Sequence, residues 1–276
     1  MPTSASLLSP IAFIGGGNMA SAIIGGLIRQ GLAADQIEVV EPWETAREAL
    51  LKNFGITAQP EAGPLLQRAR TVVWAVKPQT FKDAAAQAHA HTADALHLSV
   101  AAGIRSDSIA LWLGSERIVR TMPNTPALVG KGMSAIYARP AVSAAERAQV
   151  ETILASTGDF LWVDTEKQLD AVTALSGSGP AYVFYFLEAM TRAGAAMGLT
   201  AAQAHQLAVG TFVGASELAR RSDEPPAVLR ERVTSKGGTT YAALQSMEAS
   251  GVSAAFEAAM RAAEQRALEL GNEFGA

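Results

Sequence analysis

The sequence has no cysteine, few aromatic residues and no long uninterrupted apolar stretch. Without cysteine the chain can form no disulfide, no thiolate metal site and no catalytic thiol, a pattern that suits a reducing cytosol. No stretch approaches the ~20 apolar residues that a membrane span needs. The N-terminus also lacks the basic start and long apolar run of a signal peptide. We therefore expect a cytoplasmic protein with no membrane association.

Charged residues are also scarce, at 17% of the chain, and the formal net charge is −4. This balance argues against a broad nucleic-acid-binding surface, so no nucleic-acid partner is expected. Any small anion must then be held by local features of the chain. The hydrophobic content of 49% is ample for a buried core, and 276 residues suit two domains of moderate size.

Strand and helix patterns alternate along the first half of the chain. Short β-rich runs are separated by stretches of helical periodicity such as residues 20–29 and 42–53. This alternation predicts an α/β fold with a doubly wound parallel sheet and right-handed crossovers. The predicted strands are residues 11–14, 37–40, 71–76, 96–100 and 118–121, with further candidate strands at 130–137 and 158–163 and a helix between them at 144–156.

The second half of the chain has almost no β-rich run. We therefore predict a dinucleotide-binding domain over residues 1–164 and an all-helical domain over residues 165–276. The helices are expected at residues 181–197, 201–221, 226–234, 239–250 and 253–272. Small residues lie on several faces of these apolar helices, which predicts that they bury a face against another subunit: Gly194, Ala195, Gly210, Gly214 and Ala215.

A glycine-rich loop joins the first predicted strand to the first helix, with the sequence Gly15-Gly16-Gly17-Asn18-Met19-Ala20. Gly15 permits a tight turn, and Gly17 lets the backbone approach a pyrophosphate. Ala20 allows the helix to pack closely on the strand, while the helix N-terminus attracts an anion. In this strand–turn–helix setting the loop predicts a dinucleotide site; the alternative is a glycine turn without a ligand.

An acidic residue, Glu41, ends the second predicted strand, near the spacing at which such folds place a ribose-binding acid. A carboxylate there can accept hydrogen bonds from the adenosine ribose and would repel a 2′-phosphate, which favours NADH over NADPH. The alternative is a solvated charge at the strand end. Arg47 lies nearby in the sequence and could offset the repulsion.

Three later segments follow predicted strands, where the ligands of open α/β sheets collect. Val76, Lys77 and Pro78 end the third strand, and we predict that they contact the cofactor rather than form only a turn. The small residues 99–103 would let a nicotinamide lie against the backbone. Asn124 follows the fifth strand and could donate to cofactor or substrate, although a turn-stabilising role fits equally well.

Two further polar segments lie in the predicted helical half. Ser176 and Ser178 precede a helix that has proline near its first turn, so binding and simple capping are both plausible. The segment 235–240, Ser-Lys-Gly-Gly-Thr-Thr, opens another helix with successive backbone N–H groups and hydroxyls. Such a nest can hold a carboxylate, whereas a mere helix cap would not need so many small donors.

The four histidines do not form a recognisable metal site. His89 and His91 are two residues apart and would face different sides of a helix, while His97 and His205 stand alone. We expect ordinary solvated or packed histidines, and no metal.

In this order, over essentially the whole chain, these motifs resemble the Δ1-pyrroline-5-carboxylate reductase family, whose members catalyse the last step of proline biosynthesis. The most specific segments are residues 175–182, Leu-Ser-Gly-Ser-Gly-Pro-Ala-Tyr, and 233–240, Val-Thr-Ser-Lys-Gly-Gly-Thr-Thr. The resemblance implies an N-terminal Rossmann domain and a helical dimerisation domain that interlocks with its twin. It also implies an active site where the cofactor domain meets the dimerisation helices, and homodimers that often assemble further as a ring of five.

The resemblance also assigns roles to particular residues. It places the cofactor, NADPH or NADH, on Gly15, Gly16, Gly17, Asn18, Met19, Val76, Lys77, Pro78, Ala101 and Ala102, to which our own interpretation adds Glu41 and Asn124. It places the substrate on Ser235, Gly237, Gly238 and Thr240, with Ser176 and Ser178 close by. The chain departs from the family pattern at Ala62, where many relatives have an asparagine. The family also has an acid before the substrate loop, and in this sequence that acid is either Asp223 or Glu224.

The reaction implied is hydride transfer from the nicotinamide to the C=N carbon of a five-membered cyclic imine bearing a carboxylate. A donor near the ring nitrogen is needed, because an iminium accepts hydride more readily than a neutral imine. We assign that contact to Thr240 as the catalytic residue. A β-hydroxyacid dehydrogenase is a weaker interpretation because residues 177–188 contain no lysine. A reductase of six-membered imines and a cofactor sensor without turnover remain as alternatives.

Overall fold

The computed structural model describes residues 10–275, so the predicted domain ends at residues 1 and 276 lie outside it. These residues form two compact units, one of residues 10–178 and 263–275 and the other of residues 179–262. The first unit contains a seven-stranded sheet in the order β2-β1-β3-β4-β5-β6-β7. Its strands are β1 (Ile11–Ile14), β2 (Ile37–Val40), β3 (Thr71–Trp74), β4 (Leu96–Ser99), β5 (Ile118–Met122), β6 (Gly132–Ala138) and β7 (Gly158–Trp162).

The first five strands are parallel, as the sequence predicts. Ile11 at the start of β1 pairs with Ile37 of β2 on one side and Thr71 of β3 on the other. Their carboxyl ends therefore lie along one edge of the sheet, which we call the ligand edge because α/β sheets bind ligands there. The glycine loop and residues 75–78, 100–103 and 123–124 follow strands at this edge.

The sixth strand departs from a wholly parallel arrangement, because β6 runs antiparallel to β5. The connection between Met122 and Gly132 holds only a short 3-10 turn, Thr125–Val129. A parallel return would need a crossover of a dozen or more residues, usually a helix. β7 follows a helix, α5 (Ala144–Ala155), and is parallel to β6.

Helices cover both faces of this sheet. All four residues of β1, β3 and β4 are buried, which is typical of strands packed on both sides. Two apolar clusters, one around Phe13 and one around Trp74 and Phe81, form the core. The helices of this unit are α1 (Asn18–Arg29), α2 (Glu44–Phe54), α3 (Pro78–Ala88), α4 (Ser106–Leu113), α5 (Ala144–Ala155) and α6 (Gln168–Val172), followed by a π-helical turn, Thr173–Gly177.

The second unit is helical, as predicted. Its helices are α7 (Gly179–Ala196), α8 (Ala201–Arg221), α9 (Pro226–Arg232), α10 (Thr239–Ala249) and the first part of α11 (Val252–Phe274). These bounds match the five predicted helices to within two residues at every end, whereas α6 and the π-helical turn were not predicted. Over residues 10–275, no helix is long and apolar enough to cross a membrane.

Candidate active site

The glycine loop at the ligand edge requires glycine at its first position. Gly15 has φ +96°, and a Cβ there would lie 2.6 Å from the carbonyl oxygen of Ala75. The loop is thus in direct contact with the segment that follows β3. Gly17 is the N-cap of α1, makes no side-chain cap, and has open space where a Cβ would stand. Gly17 and Asn18 are exposed and Met19 is half-buried, so the first turn of α1 can be approached by an anion.

Glu41 is not the solvated charge that the sequence allowed as an alternative. Its side chain is buried, and its carboxylate accepts the backbone N–H of Gly16 at 2.7 Å and that of Trp43 at 2.9 Å. One oxygen therefore braces the glycine loop, and the other braces the turn after β2. The predicted ribose contact would have to share these oxygens, each of which has further lone pairs.

Arg47 lies close to Glu41 in the structure as well as in the sequence. Its Nη1 donates to the carbonyl oxygens of Glu41, at 3.0 Å, and Pro42, at 2.6 Å, rather than to the carboxylate. The guanidinium therefore places a positive charge on the turn after β2, next to the residue expected to repel a 2′-phosphate.

The ends of β3 and β4 lie beside the glycine loop. Lys77 is the exposed N-cap of α3, Pro78 is the first residue of that helix, and Val76 packs against the second apolar cluster. Ala101 is buried and Ala102 half-buried in the turn after β4. Since β1, β3, β4 and β5 are neighbours, the fold brings these predicted cofactor residues to one edge. Contact with the cofactor itself stays a prediction.

Asn124 and Ser176 meet in the first unit, although they are far apart in the sequence. The Asn124 side-chain Nδ2 donates to the carbonyl oxygen of Ser176 at 3.3 Å and to its Oγ at 3.1 Å, while Oδ1 accepts the N–H of Met133 at 2.9 Å. Ser176 lies in the π-helical turn, and the N–H of Ser178 closes that turn on the carbonyl of Thr173 at 2.8 Å.

The predicted substrate loop lies in the second unit, at the start of α10. Gly237 has φ +76°, and the N–H of Gly238 donates to the carbonyl of Ser235 at 3.0 Å. Gly238 is the N-cap of α10 and no side chain caps the helix, while Ser235 and Thr240 are exposed. The first-turn N–H groups and both hydroxyls are therefore available to an anionic ligand.

The two candidate acids before this loop have different surroundings. Glu224 forms an ion pair with Arg232, with 2.6 Å between Oε1 and Nη2, and its backbone N–H donates to the Oγ of Ser222. Asp223 is exposed. The positive charge of Arg232 balances that of Glu224, whereas the carboxylate of Asp223 is exposed to solvent.

A buried charge network near β5 was missed by the sequence analysis. The Arg120 guanidinium donates to Glu166 at 2.6 Å, and Glu166 also accepts the N–H and the hydroxyl of Ser106. Burial alone would raise the pKa of the Glu166 carboxyl, but Arg120 and Ser106 hold that pKa below its usual value. An arginine within an apolar strand was the available signal. Glu166 lies two residues before α6, so the network holds the turn that leads into this helix.

His97 in β4 is a packed core histidine, one of the two kinds expected. It accepts a hydrogen bond from the Trp74 Nε1 at 3.2 Å, and burial, aided by Arg117, lowers its pKa to about 4. It therefore stays neutral at physiological pH. Within residues 10–275 no three His, Asp or Glu side chains are grouped as metal ligands.

The mostly parallel sheet, its strand order and the glycine loop define a Rossmann-type oxidoreductase, and residues 10–103 match the family described as NADP oxidoreductase, coenzyme F420-dependent. Residues 166–270 match the pyrroline-5-carboxylate reductase dimerisation family. The chain is 46% identical to the pyrroline-5-carboxylate reductase of Pseudomonas aeruginosa over 96% of its own length and 98% of that protein. It belongs to the pyrroline-5-carboxylate reductase family.

Solved structures agree with this assignment. The pyrroline-5-carboxylate reductase of Coxiella burnetii superposes with a TM-score of 0.86 at 35% identity, covering 95% of this chain and 98% of that one. The Plasmodium falciparum pyrroline carboxylate reductase, solved with NADP bound, has the same TM-score and coverage at 28% identity. The predicted fold class, a Rossmann-type sheet followed by a helical dimerisation domain, is confirmed.

Proposed function

We propose that this protein is a pyrroline-5-carboxylate reductase, which reduces the C=N bond of 1-pyrroline-5-carboxylate to give L-proline with NADPH or NADH. The observation that carries the proposal is the 46% identity over 96% of the chain. A match confined to the glycine loop and the sheet would indicate only dinucleotide binding, because that fold serves many substrates. Here the similarity includes the helical unit, where the predicted substrate loop lies.

The ligand edge fits a dinucleotide. Gly15 makes the tight turn, Gly17 leaves the backbone bare where a pyrophosphate would approach, and the N-terminus of α1 favours its charge. The nicotinamide, when bound, supplies the hydride. Val76, Lys77, Pro78, Ala101 and Ala102 would line its side of the site, and Glu41 would lie toward the adenosine.

The loop at the start of α10 would hold the substrate. Ser235 and the amides of Gly237 and Gly238 are proposed to bind the carboxylate, because the positive end of the helix dipole favours a negative charge there. Thr240, in the first turn of α10, is proposed to contact the ring nitrogen, where a polar partner stabilises the proton that the reaction needs. No side chain caps this helix start, but the Gly238 N–H already donates to the Ser235 carbonyl oxygen and would have to share that bond with the carboxylate.

We also propose that the chain acts as a homodimer in the cytoplasm, without a nucleic-acid partner, and that dimers assemble further into decamers. The match of residues 166–270 to a dimerisation family supports the dimer. The net charge of −4 supports the absence of a nucleic-acid partner.

A single assay tests the proposed function. The purified protein is mixed with the five-membered imine acid and either NADH or NADPH, and the absorbance of the reduced nicotinamide is followed. Oxidation of the cofactor with formation of L-proline is expected. Turnover only with a six-membered imine, only with a β-hydroxyacid, or with none of these would contradict the proposal.

A further inference from the structure

The side chain of Asn124 uses all of its polar groups inside the first unit. Its Oδ1 accepts the N–H of Met133, and its Nδ2 donates to both the carbonyl oxygen and the hydroxyl oxygen of Ser176. The two acceptors on Ser176 lie close together and can share one hydrogen of the amide. With the bond from Met133, these contacts fix the orientation of the Asn124 side chain within the first unit.

The segment that presents Ser176 has an unusual backbone. The π-helical turn Thr173–Gly177 is closed by the Ser178 N–H on the carbonyl of Thr173 at 2.8 Å. Such turns are rare and occur frequently at functional sites. Gly177 packs so closely on Met122 that a Cβ would collide with the methionine methyl group. The turn is therefore fitted to the end of β5, at the ligand edge.

The direction of the hydrogen bond determines what the Ser176 hydroxyl can do. Its oxygen accepts from Asn124, so its own hydrogen points elsewhere and can be donated. Among residues 10–275, the hydroxyl of Ser176 makes no hydrogen bond as a donor; its one side-chain partner is the Asn124 amide, from which it accepts. A carboxylate is the acceptor of choice for an O–H donor, whereas a protonated iminium nitrogen has no lone pair to offer.

We propose that Asn124 is a positioning residue that holds the Ser176 hydroxyl at the ligand edge as a hydrogen-bond donor to the substrate carboxylate. The inference rests on the proposed function. It assigns to Asn124 a role in substrate affinity through Ser176, instead of the cofactor contact that the sequence suggested. Met133 anchors the other end of the amide, so the whole side chain is fixed.

Asn124→Asp separates these roles because it keeps the oxygen that accepts from Met133 and replaces the Nδ2 donor with an acceptor. KM for the imine acid should rise about tenfold to a hundredfold, the worth of one hydrogen bond to a charged group. The value of kcat should stay within about threefold of the parent's, because the lost hydrogen bond stabilises the bound substrate and the transition state equally. KM for the cofactor should not change.

Matched variants make the test decisive. Asn53→Asp, an exposed change of the same kind in α2, should leave every constant unchanged. Ser176→Ala should raise KM for the imine acid like Asn124→Asp, and the double variant should be no worse than Ser176→Ala alone, because the two residues act through one bond. Ser176→Thr, which keeps a hydroxyl, should restore KM to within about threefold of the parent.

Several outcomes would overturn the inference. An increase in KM for the cofactor with unchanged KM for the imine acid would make Asn124 a cofactor residue. Fully additive effects, or a Ser176→Ala variant that binds substrate like the parent, would also refute it. If Asn124→Asp fails to fold, the Ser176 variants still decide whether the hydroxyl binds substrate. Failure of the proposed function is seen separately, as a parent enzyme without turnover.

Discussion

The two units of the chain bury apolar surface to very different extents. The first unit contains the fully buried large side chains, including Trp74, Phe13 and Phe81, and covers both faces of its sheet. In α7, α8, α9 and α10 of the second unit, only Gly194, Ala204 and Ala208 are buried. The same helices expose large apolar side chains: Phe184, Tyr185, Leu207, Val213 and Leu218.

The two units also differ in whether their polar side chains bond within the fold or lie on the surface. In the first unit, the side chains of Glu41, Asn124 and Glu166 all accept or donate hydrogen bonds within the fold. In the second unit the ion pairs, such as Glu188–Arg192, lie on exposed helix surfaces, where such pairs contribute little. The sheet unit thus satisfies its apolar and polar groups internally. The helical unit leaves an apolar helix face and the polar loop at the start of α10 exposed, where a second subunit or a ligand can bind.

The largest expected effect concerns the apolar face of α8. Leu207, Gly210, Gly214 and Leu218 recur every three or four residues and so share one face. If a second copy covers this face, Leu207→Glu removes about 1.5–3 kcal/mol of burial from each subunit, and twofold symmetry doubles the loss. We expect dissociation into monomers and loss of activity, measured by analytical ultracentrifugation and assay.

Leu111→Glu is the matched control, since Leu111 is 80% exposed but lies in α4 of the first unit. It should leave assembly and activity intact. An active Leu207→Glu protein that sediments like the parent would show that this face of α8 is not the interface, and Leu218→Glu would then test the other end of the same stripe.

The next effect concerns the open loop of the second unit. Thr240→Val keeps the shape of the side chain and removes its hydroxyl. We expect kcat to fall roughly tenfold to a thousandfold, because the contact to the ring nitrogen strengthens in the transition state. Ser235→Ala should act mainly on KM for the substrate. The melting temperature should not change, since neither residue is buried. Turnover of Thr240→Val within about twofold of the parent would reduce Thr240 to a helix-start residue.

A smaller effect is expected at Glu41, whose carboxylate already accepts hydrogen bonds from the backbone of the first unit. Glu41→Gln removes the charge that would repel a 2′-phosphate. The ratio of kcat/KM for NADPH to that for NADH should therefore rise about tenfold, or about 1.4 kcal/mol. Some loss of stability should accompany it, because an amide nitrogen would face the N–H of Gly16 or Trp43. A parent enzyme that already prefers NADPH tenfold would show that Arg47 or another group outweighs Glu41.

The effect that is smallest at neutral pH, and grows only as the pH falls, concerns the buried His97. Its pKa is lowered from 6.5 to about 4 in the folded protein, so the unfolded chain binds more protons between these values. The free energy of unfolding is therefore highest above pH 6.5, where His97 is neutral in both states. It decreases as the pH falls from 6.5 toward 4, by at most about 1.4 kcal/mol per pH unit. His97→Gln should flatten this part of the pH dependence in chemical denaturation, whereas the exposed His205→Gln should not. Equal curves for parent and His97→Gln would refute the assignment.

Much of the fold could be predicted because it follows from local patterns. Apolar runs such as that of β1 and the 3.6-residue periodicity of α8 fix the type and order of the elements. Gly15 could be predicted as well, since a positive φ and a close backbone approach leave room for no side chain. The antiparallel β6 was not predicted, because strand direction depends on how the chain returns and not on the residues of the strand.

By itself, the sequence determined the two-part architecture, the glycine loop and membership of the reductase family. Only the tertiary structure decided which polar groups meet. Glu41 bonds to Gly16 across 25 positions, Arg120 to Glu166 across 46, and Asn124 to Ser176 across 52. A local pattern, such as an arginine within an apolar strand, can indicate that a polar group needs a partner but not which residue the partner is. Burial removes water, and each polar group must pair with whatever the packing places beside it.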